Sequence, residues 1–237
     1  MIMKTLNQYI TEKLVLNSNS KIRKNKEYNY RPQTRAELKK LIEQLIKERG
    51  YEADLNDIDT SLITDMSSLF HGSYFNGNIS EWDVSNVDNM DGMFAGCKFT
   101  GENGDISDWN VGKVEDMSFM FSESQFTGEN GDISDWNVCK VKNMTCMFLK
   151  SKFNGDLSKW NVGKVKYMTS MFKESEFTGE NGDISNWDLH SISMIDEIFK
   201  KTKFNKDISK WNINKNCSTV DMFKECPIKE EYKPKLK

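Results

Sequence analysis

The sequence predicts an α/β repeat solenoid with a parallel sheet of about six to seven short strands, short helical or 3-10 segments on its convex side, and an α-helical cap at its N-terminal end. Three observations predict it. The six tryptophans, Trp82, Trp109, Trp136, Trp160, Trp187 and Trp211, are spaced 27, 27, 24, 27 and 24 apart, a period of 24 with an optional insertion of three. Counted from each Trp, apolar residues fall into columns. Ile79, Ile106, Ile133, Leu157, Ile184 and Ile208 lie three before it, and Val84, Val111, Val138, Val162, Leu189 and Ile213 two after it. Finally, the first and last copies lose these columns, as the ends of a stack do.

A 24-residue unit cannot bury eight apolar side chains alone, but stacked on its own copies each packs against its counterpart. The remaining columns are Val87, Val114, Val141, Val165 and Ile192, then Met90, Met117, Met144 and Met168. After them come Met93, Met120, Met147, Met171 and Met222, each followed by a Phe (Phe94 to Phe223), and finally Phe99, Phe126, Phe153, Phe177 and Phe204. The pattern I-x-x-W-x-V fits the leucine-rich-repeat frame L-x-x-L-x-L, with Trp and Val as the inward residues of a short strand. The V-x-x-M-x-x-M-F that follows has the three-residue spacing of a short helix or 3-10 segment. A small residue (Ser73, Cys97, Ser124, Ser151, Ser175, Thr202, Cys226) then marks a tight turn.

Along the chain, residues 1–33 read as a helix and a basic arm. Thr5 and Gln8 form a capping box for a helix over Thr5–Leu16, with Leu6, Ile10 and Leu14 on one face. Residues 17–32, containing KIRKNK, read as a linker that could dock on a neighbour. Residues 34–54 hold the clearest helix, Arg35–Arg49, with Thr34 as N-cap, Glu37 closing the box and Gly50 at C′. Its apolar stripe, Leu38, Leu41, Ile42, Leu45 and Ile46, would cover the first coil. Residues 55–226 are the repeats. The first has Ile58 for Trp and Thr60 for Val, and the last has Asn216 for Val and Thr219 for Met. Residues 227–237 read as a mobile charged tail.

The repeat ISxWxVxxVxxMxxMFxxSxF, running from Asp57 to Cys226, resembles the BspA-type leucine-rich-repeat surface proteins, in particular the mycoplasma and Listeria lipoproteins with short repeats. That resemblance implies adhesion and interaction, not chemistry. MKTLNQYITEKL and DLNDIDTSLITDMSSLF resemble open reading frames of gut bacteriophages carrying the same repeats. MIMKTLNQYITEKL has neither an apolar signal core nor a lipobox, so the host cytoplasm or a virion is the expected location. Membrane insertion is not expected, because no run of 18 apolar residues occurs. Charge is balanced near neutrality, at −3, which argues against nucleic acid as partner.

No motif for catalysis or a cofactor is present. His71 and His190 occupy different repeat positions, and the five cysteines (Cys97, Cys139, Cys146, Cys217, Cys226) are expected to be reduced thiols. The carboxylates recur as ladders, whereas a catalytic pair would occur once. Asp105, Asp132, Asp156, Asp183 and Asp207 precede Ile-Ser or Leu-Ser, where Asx-turns are expected. The GENGD turns with Glu102, Glu129 and Glu180 also resemble calcium-binding glycine–aspartate repeats, which leaves cation binding open. The Asx residues after Trp (Asp83, Asn110, Asn137, Asn161, Asp188, Asn212) are expected to form amide ladders from coil to coil.

The expected function is a non-enzymatic protein–protein interaction module, with a structural or accessory component of a bacteriophage particle as the alternative. The candidate contact row is the position before Trp: Glu81, Asp108, Asp135, Lys159, Asn186 and Lys210, acidic first and then neutral or basic. Phe119 and Tyr167 interrupt otherwise small or polar columns and are candidate anchors on the convex side.

Overall fold

The computed structural model describes residues 27–236. Thr5–Leu16, the basic KIRKNK stretch and its proposed docking role lie outside them. In the described chain each repeat is a succession of tight turns closed by backbone hydrogen bonds from residue i+3 to residue i. In the repeat around Trp109 these run from Trp109 N to Ile106 O, Val114 N to Val111 O, Met120 N to Met117 O and Ser124 N to Phe121 O. The three-residue spacings in I-x-x-W, V-x-x-V, M-x-x-M and F-x-x-S are thus the two ends of turns, both facing inward. The short strands expected at Trp-x-Val and the helical segments expected at M-x-x-M-F do not form among the described residues.

Successive copies are joined by parallel bridges. They link Asp65 to Asn89, then Asn89 to Asp116, Asn143, Tyr167, Met194 and Ser218 in turn. Next to this row, alternate N–H groups reach forward into the following copy. Met90 N donates to Asp116 O, Gly92 N to Ser118 O, Phe94 N to Met120 O and Gly96 N to Ser122 O, at 2.9, 2.8, 2.9 and 2.7 Å. The same four bonds leave Met117, Phe119, Phe121 and Glu123 for the next copy along. Two positions per copy adopt left-handed backbone to allow this. One runs Ser68, Gly92, Phe119, Cys146, Ser170, Glu197 and Asp221, the other Gly72, Gly96, Glu123, Lys150, Glu174, Lys201 and Glu225, with φ between 51° and 66° throughout. These are the third residues of the M-x-x-M and F-x-x-S turns, where a positive φ is needed.

Inside, like residues lie over like. The rings of Phe94, Phe121, Phe148, Phe172 and Phe199 stack in one column at 5.5, 5.8, 5.6 and 5.6 Å, tilted by no more than 5°. Phe99, Phe126, Phe153, Phe177 and Phe204 form a second. All six tryptophans are buried to 3–4% exposure. Each indole N–H donates to the carbonyl of the aliphatic residue three before the preceding Trp position: Trp109 to Ile79, Trp136 to Ile106 and Trp160 to Ile133, at 3.3, 3.1 and 2.9 Å. That carbonyl also closes its own turn, as Ile106 O accepts Trp109 N at 3.1 Å, so the indole supplies the donor for its second lone pair. Truncating a column residue such as Phe148 to Ala removes a filled ring site, at a cost of about 3–5 kcal/mol.

The three-residue insertion sits away from the bridges. Asn103 Nδ2 reaches back to Asn76 O at 2.7 Å, and Thr100 N to Asn76 Oδ1 at 2.8 Å. Gly104 follows because the copies nearly touch there: a Cβ would lie 2.9 Å from Asn78 Cα.

The helix expected before the repeats is α1 (Arg35–Arg49). Thr34 Oγ1 accepts from Glu37 N, while Glu37 Oε2 accepts from Gln33 N, one residue earlier than a standard box would place it. Leu38, Ile42 and Leu45 are buried in the same core as the repeats, and Leu41 and Ile46 pack against it. Arg35 Nε and Lys39 Nζ donate to Ser67 O and Ser68 O of the first repeat. At the other end of α1, Arg49 binds both carboxylate oxygens of Asp57 at 3.0 Å, holding that carboxyl below its usual range.

Two expectations are corrected. Residues 28–31, expected as linker, are seated on the first repeat: Tyr30 bridges Ile58, with Asn29 N donating to Asp57 O and Asp59 N to Tyr30 O. Residues 227–236 do not form the mobile tail that their charge predicts. Instead a 3-10 turn, Glu230–Tyr232, brings Tyr232 O to Ile208 N at 3.0 Å, and Pro234 is buried. Ile228, Tyr232 and Pro234 are the apolar side chains that seat this charged segment.

Two stability outcomes follow. Trp136→Phe takes away the second donor to Ile106 O and trims the ring, and should cost about 1–3 kcal/mol in urea unfolding. A variant as stable as the parent would remove the role assigned to the indole N–H. Lys150→Gly relieves an L-residue at φ 51° and should gain up to about 1 kcal/mol, whereas Lys152→Gly, two residues on, should gain nothing.

Candidate interaction surface

With the columns turned inward, the surface is built from the positions between them. The residue before each Trp follows a buried aliphatic turn and points to solvent. Glu81, Asp108, Asp135, Lys159, Asn186 and Lys210 are all exposed. They stand in one row, one per repeat, and at the point where its sign changes Lys159 Nζ meets Asp135 Oδ1 at 2.8 Å. That contact raises the Lys159 pKa, through the hydrogen bond first and the Coulombic attraction second.

Phe119 and Tyr167 are exposed by 41% and 42%. The structure does not bring them together: Phe119 occupies a left-handed turn position and Tyr167 a bridge position. Tyr167 instead bridges Met194, which is equally exposed, making a two-residue apolar patch that sequence reasoning missed. Its signal was a Met standing in a polar column.

The Asx residues after Trp do not form the expected ladder from coil to coil. Asn110 Oδ1 accepts from Gly112 N, Asn137 Oδ1 from Cys139 N and Asn161 Oδ1 from Gly163 N, each within its own repeat. A side-chain acceptor two residues from an unpaired N–H is satisfied locally before a partner repeat can compete. The aspartates before Ile-Ser behave the same way, as Asp105 with Ser107 N and Asp132 with Ser134 N at 2.8 Å, the turn chemistry expected of them. Glu102, Glu129 and Glu180 of the insertions are exposed. Among the described residues no three His, Cys, Asp or Glu side chains are grouped as a metal ion would require, and no helix is long and apolar enough to cross a membrane.

Comparison with known families places the chain. The family model described as "Mycoplasma protein of unknown function, DUF285" matches twice, at residues 39–150 and 123–233. The chain belongs to this family. No curated protein and no solved structure matches it.

Within this DUF285 chain one string of side chains has the order of a hydrolytic triad. Asp188 Oδ2 lies 2.8 Å from His190 Nδ1, and His190 Nε2 lies 3.0 Å from Ser191 Oγ. All three sit on one exposed turn, where Asp188 Oδ1 also accepts from His190 N. A nucleophile needs a pair of donors around the reacting oxygen and a walled site. The nearby GEN turn, by contrast, lines an open depression with Gly179, Asn181, Asp183, Lys206 and Lys210, where a repeat with the insertion meets one without it. The cysteines are free thiols, and burial pushes Cys97 up to about 11, so it is not a reactive thiolate.

Ion pairs tie repeats to one another. Glu197 bonds Lys173 of the preceding repeat at 2.6 Å and Lys200 of its own, and the two ammonium groups pull its pKa from 4.5 to about 2, Lys173 contributing first. A carboxyl lowered in the folded state stabilises fully above its unfolded value, and that stabilisation is lost as pH falls towards the folded one. Urea unfolding should therefore become easier between pH 4.5 and about 2, and Glu197→Gln should show a shallower loss over that window. An unchanged slope would mean that the pair contributes nothing.

Proposed function

We propose that this protein is a non-enzymatic protein–protein interaction module, built as a leucine-rich-repeat-like solenoid that grips its partner through the row before the tryptophans. The observation that supports it is the division of labour within the repeat. The turn ends carry the same apolar residues in copy after copy, whereas the exposed neighbour of Trp changes from acidic to basic along the row. A core-building residue has no freedom to vary, and a recognition residue has a reason to. The resemblance to BspA-type surface proteins supports adhesion to another protein as the use. On this reading the exposed Asp188–His190–Ser191 string is part of a turn and not a catalytic centre.

The test uses the full chain as bait against a host-cell extract, with bound proteins identified by mass spectrometry. The variant Glu81→Lys, Asp108→Lys, Asp135→Lys should lose the captured protein while its unfolding midpoint stays close to the parent's. A control variant on another surface, Lys98→Glu, should keep it. Capture unaffected by the triple reversal would overturn the assignment of this row. Stoichiometric presence of the chain in purified virions would favour the particle-component reading instead.

A further inference from the structure

The dipeptide Asn-Gly occurs five times, as Asn76–Gly77, Asn103–Gly104, Asn130–Gly131, Asn154–Gly155 and Asn181–Gly182. Asn-Gly is the pairing most open to loss of the side-chain amide, because glycine has no side chain to hinder its own nitrogen as it approaches the neighbouring Cγ. Asn103, Asn130 and Asn181 sit in the same hexapeptide, TGENGD, so local sequence gives them one reactivity. The fold treats them differently. Asn103 Nδ2 donates to Asn76 O at 2.7 Å, and Asn181 Nδ2 to Asn154 O. In return Asn76 Oδ1 accepts from Thr100 N and Oγ1 at 2.8 and 3.0 Å, and Asn154 Oδ1 from Thr178 N and Oγ1 at 2.9 and 3.1 Å. Those four side chains are held by a neighbouring repeat. Asn130 is exposed, and among the described residues nothing bonds its side chain. Gly131 N finds no main-chain acceptor there either.

The exception follows from the order of the repeats. Asn103 and Asn181 hook onto copies without the insertion, in which Phe75 and Phe153 are followed by Asn76 and Asn154. The copy before Asn130 carries an insertion of its own. There Thr100 stands in the place of that Asn, and its Oγ1 accepts from Glu102 N of its own turn at 3.2 Å. The two insertions nest so closely that a Cβ on Gly101 would lie 2.8 Å from Asn130 O. That contact seats the Asn130 main chain and offers its amide no acceptor.

We propose that Asn130–Gly131 is a site of spontaneous covalent modification, singled out by the fold from the five Asn-Gly pairs. Gly131 N gives its proton to solvent hydroxide and attacks Asn130 Cγ. Nδ2 takes a proton from water and leaves as ammonia, and a cyclic imide closes between the two residues. Water then opens either carbonyl of the ring, leaving aspartate or isoaspartate at this position. Overall one water is taken up and one ammonia released, with no oxidant or other co-reactant. The product places a further negative charge between Glu129 and Asp132, and isoaspartate adds a methylene to the main chain that rests on Gly101. The site lies in one insertion turn and does not depend on the row before the tryptophans.

The test incubates the full folded chain at mildly alkaline pH and digests samples at acid pH. Peptides are mapped by mass spectrometry, with electron-transfer fragmentation to tell isoaspartate from aspartate. Asn130 should convert at least about tenfold faster than the other four, the factor that one or two hydrogen bonds hold back. In guanidinium chloride the three TGENGD copies should convert at one rate, which assigns the difference to the fold and not to the sequence. A second variant lacks residues 101–103, so that the copy before Asn130 resembles those before Asn103 and Asn181. In that folded variant Asn130 should slow to the rate of Asn181. The inference is overturned if Asn103 or Asn181 converts as fast as Asn130 in the folded parent, or if Asn130 stays intact over the time in which the unfolded chain converts. Fast conversion of Asn130 in the folded deletion variant would equally overturn it, because the nested insertions would then not be what leaves the amide open.

Discussion

The constraint on which the rest of the structure depends is the ladder of N–H groups leaving alternate residues of M-x-x-M-F for the next copy. Four such bonds per junction fix both the register and the distance between copies. They also require a left-handed residue at two places in each copy, a conformation unfavourable for any residue but glycine. The chain uses Gly92 and Gly96 in one repeat and Phe119 and Glu123 in the next at the same φ. A conformation kept across such different side chains is imposed by the ladder and not by local preference. The period tolerates three extra residues for the same reason: the GEN insertion lies outside the ladder, where it hooks onto Asn76 or Asn154 without disturbing the rungs.

Once the ladder sets the spacing, the side chains have little choice. Phe over Phe at about 5.5–6 Å is an offset stack the ladder distance permits. Turns leave some carbonyls facing inward, and the column that answers them has to be large, apolar and a donor. Among the amino acids only Trp meets all three needs without a hydroxyl that can also accept, which accounts for its recurrence better than size alone. The small column is as constrained: Ser175 Oγ and Thr202 Oγ1 donate to Phe172 O and Phe199 O of their own turns, Ser73 and Ser151 accept from Phe75 N and Phe153 N, and the buried Ser124 Oγ has no partner.

The columns, α1 with its caps, and the Asx-turns before Ile-Ser were legible in the sequence because each rests on residue type at a fixed spacing. The path of the backbone between columns was not. Spacing of three is common to a helical turn and to an isolated tight turn, and inward residues two apart fit either a strand or two adjoining turns. What decides is the sign of φ at Phe119, Glu123 or Lys150, and those residues carry no mark of it in their chemistry. Tyr30 and Tyr232 were hidden by charged neighbours, since a single aromatic ring helps seat a segment whose other residues are mostly polar. At the candidate surface the exposed row before Trp was legible by elimination. The Tyr167–Met194 contact and the Asp188–His190–Ser191 string were not, because both arise from how a turn or a bridge happens to orient neighbours.

The first repeat also bears on how such a chain can associate. Head-to-tail growth needs an acceptor edge, and in this protein that edge is closed by a helix with three buried apolar residues and an Arg49–Asp57 clasp at its far end. Exposing it means removing Leu38, Ile42 and Leu45 from the core, each worth about 1.5–3 kcal/mol of burial. The helix therefore does at the first repeat what a preceding copy does elsewhere: it fills the apolar columns and, through Arg35, gives Ser67 O the donor that the N–H of a preceding copy would supply.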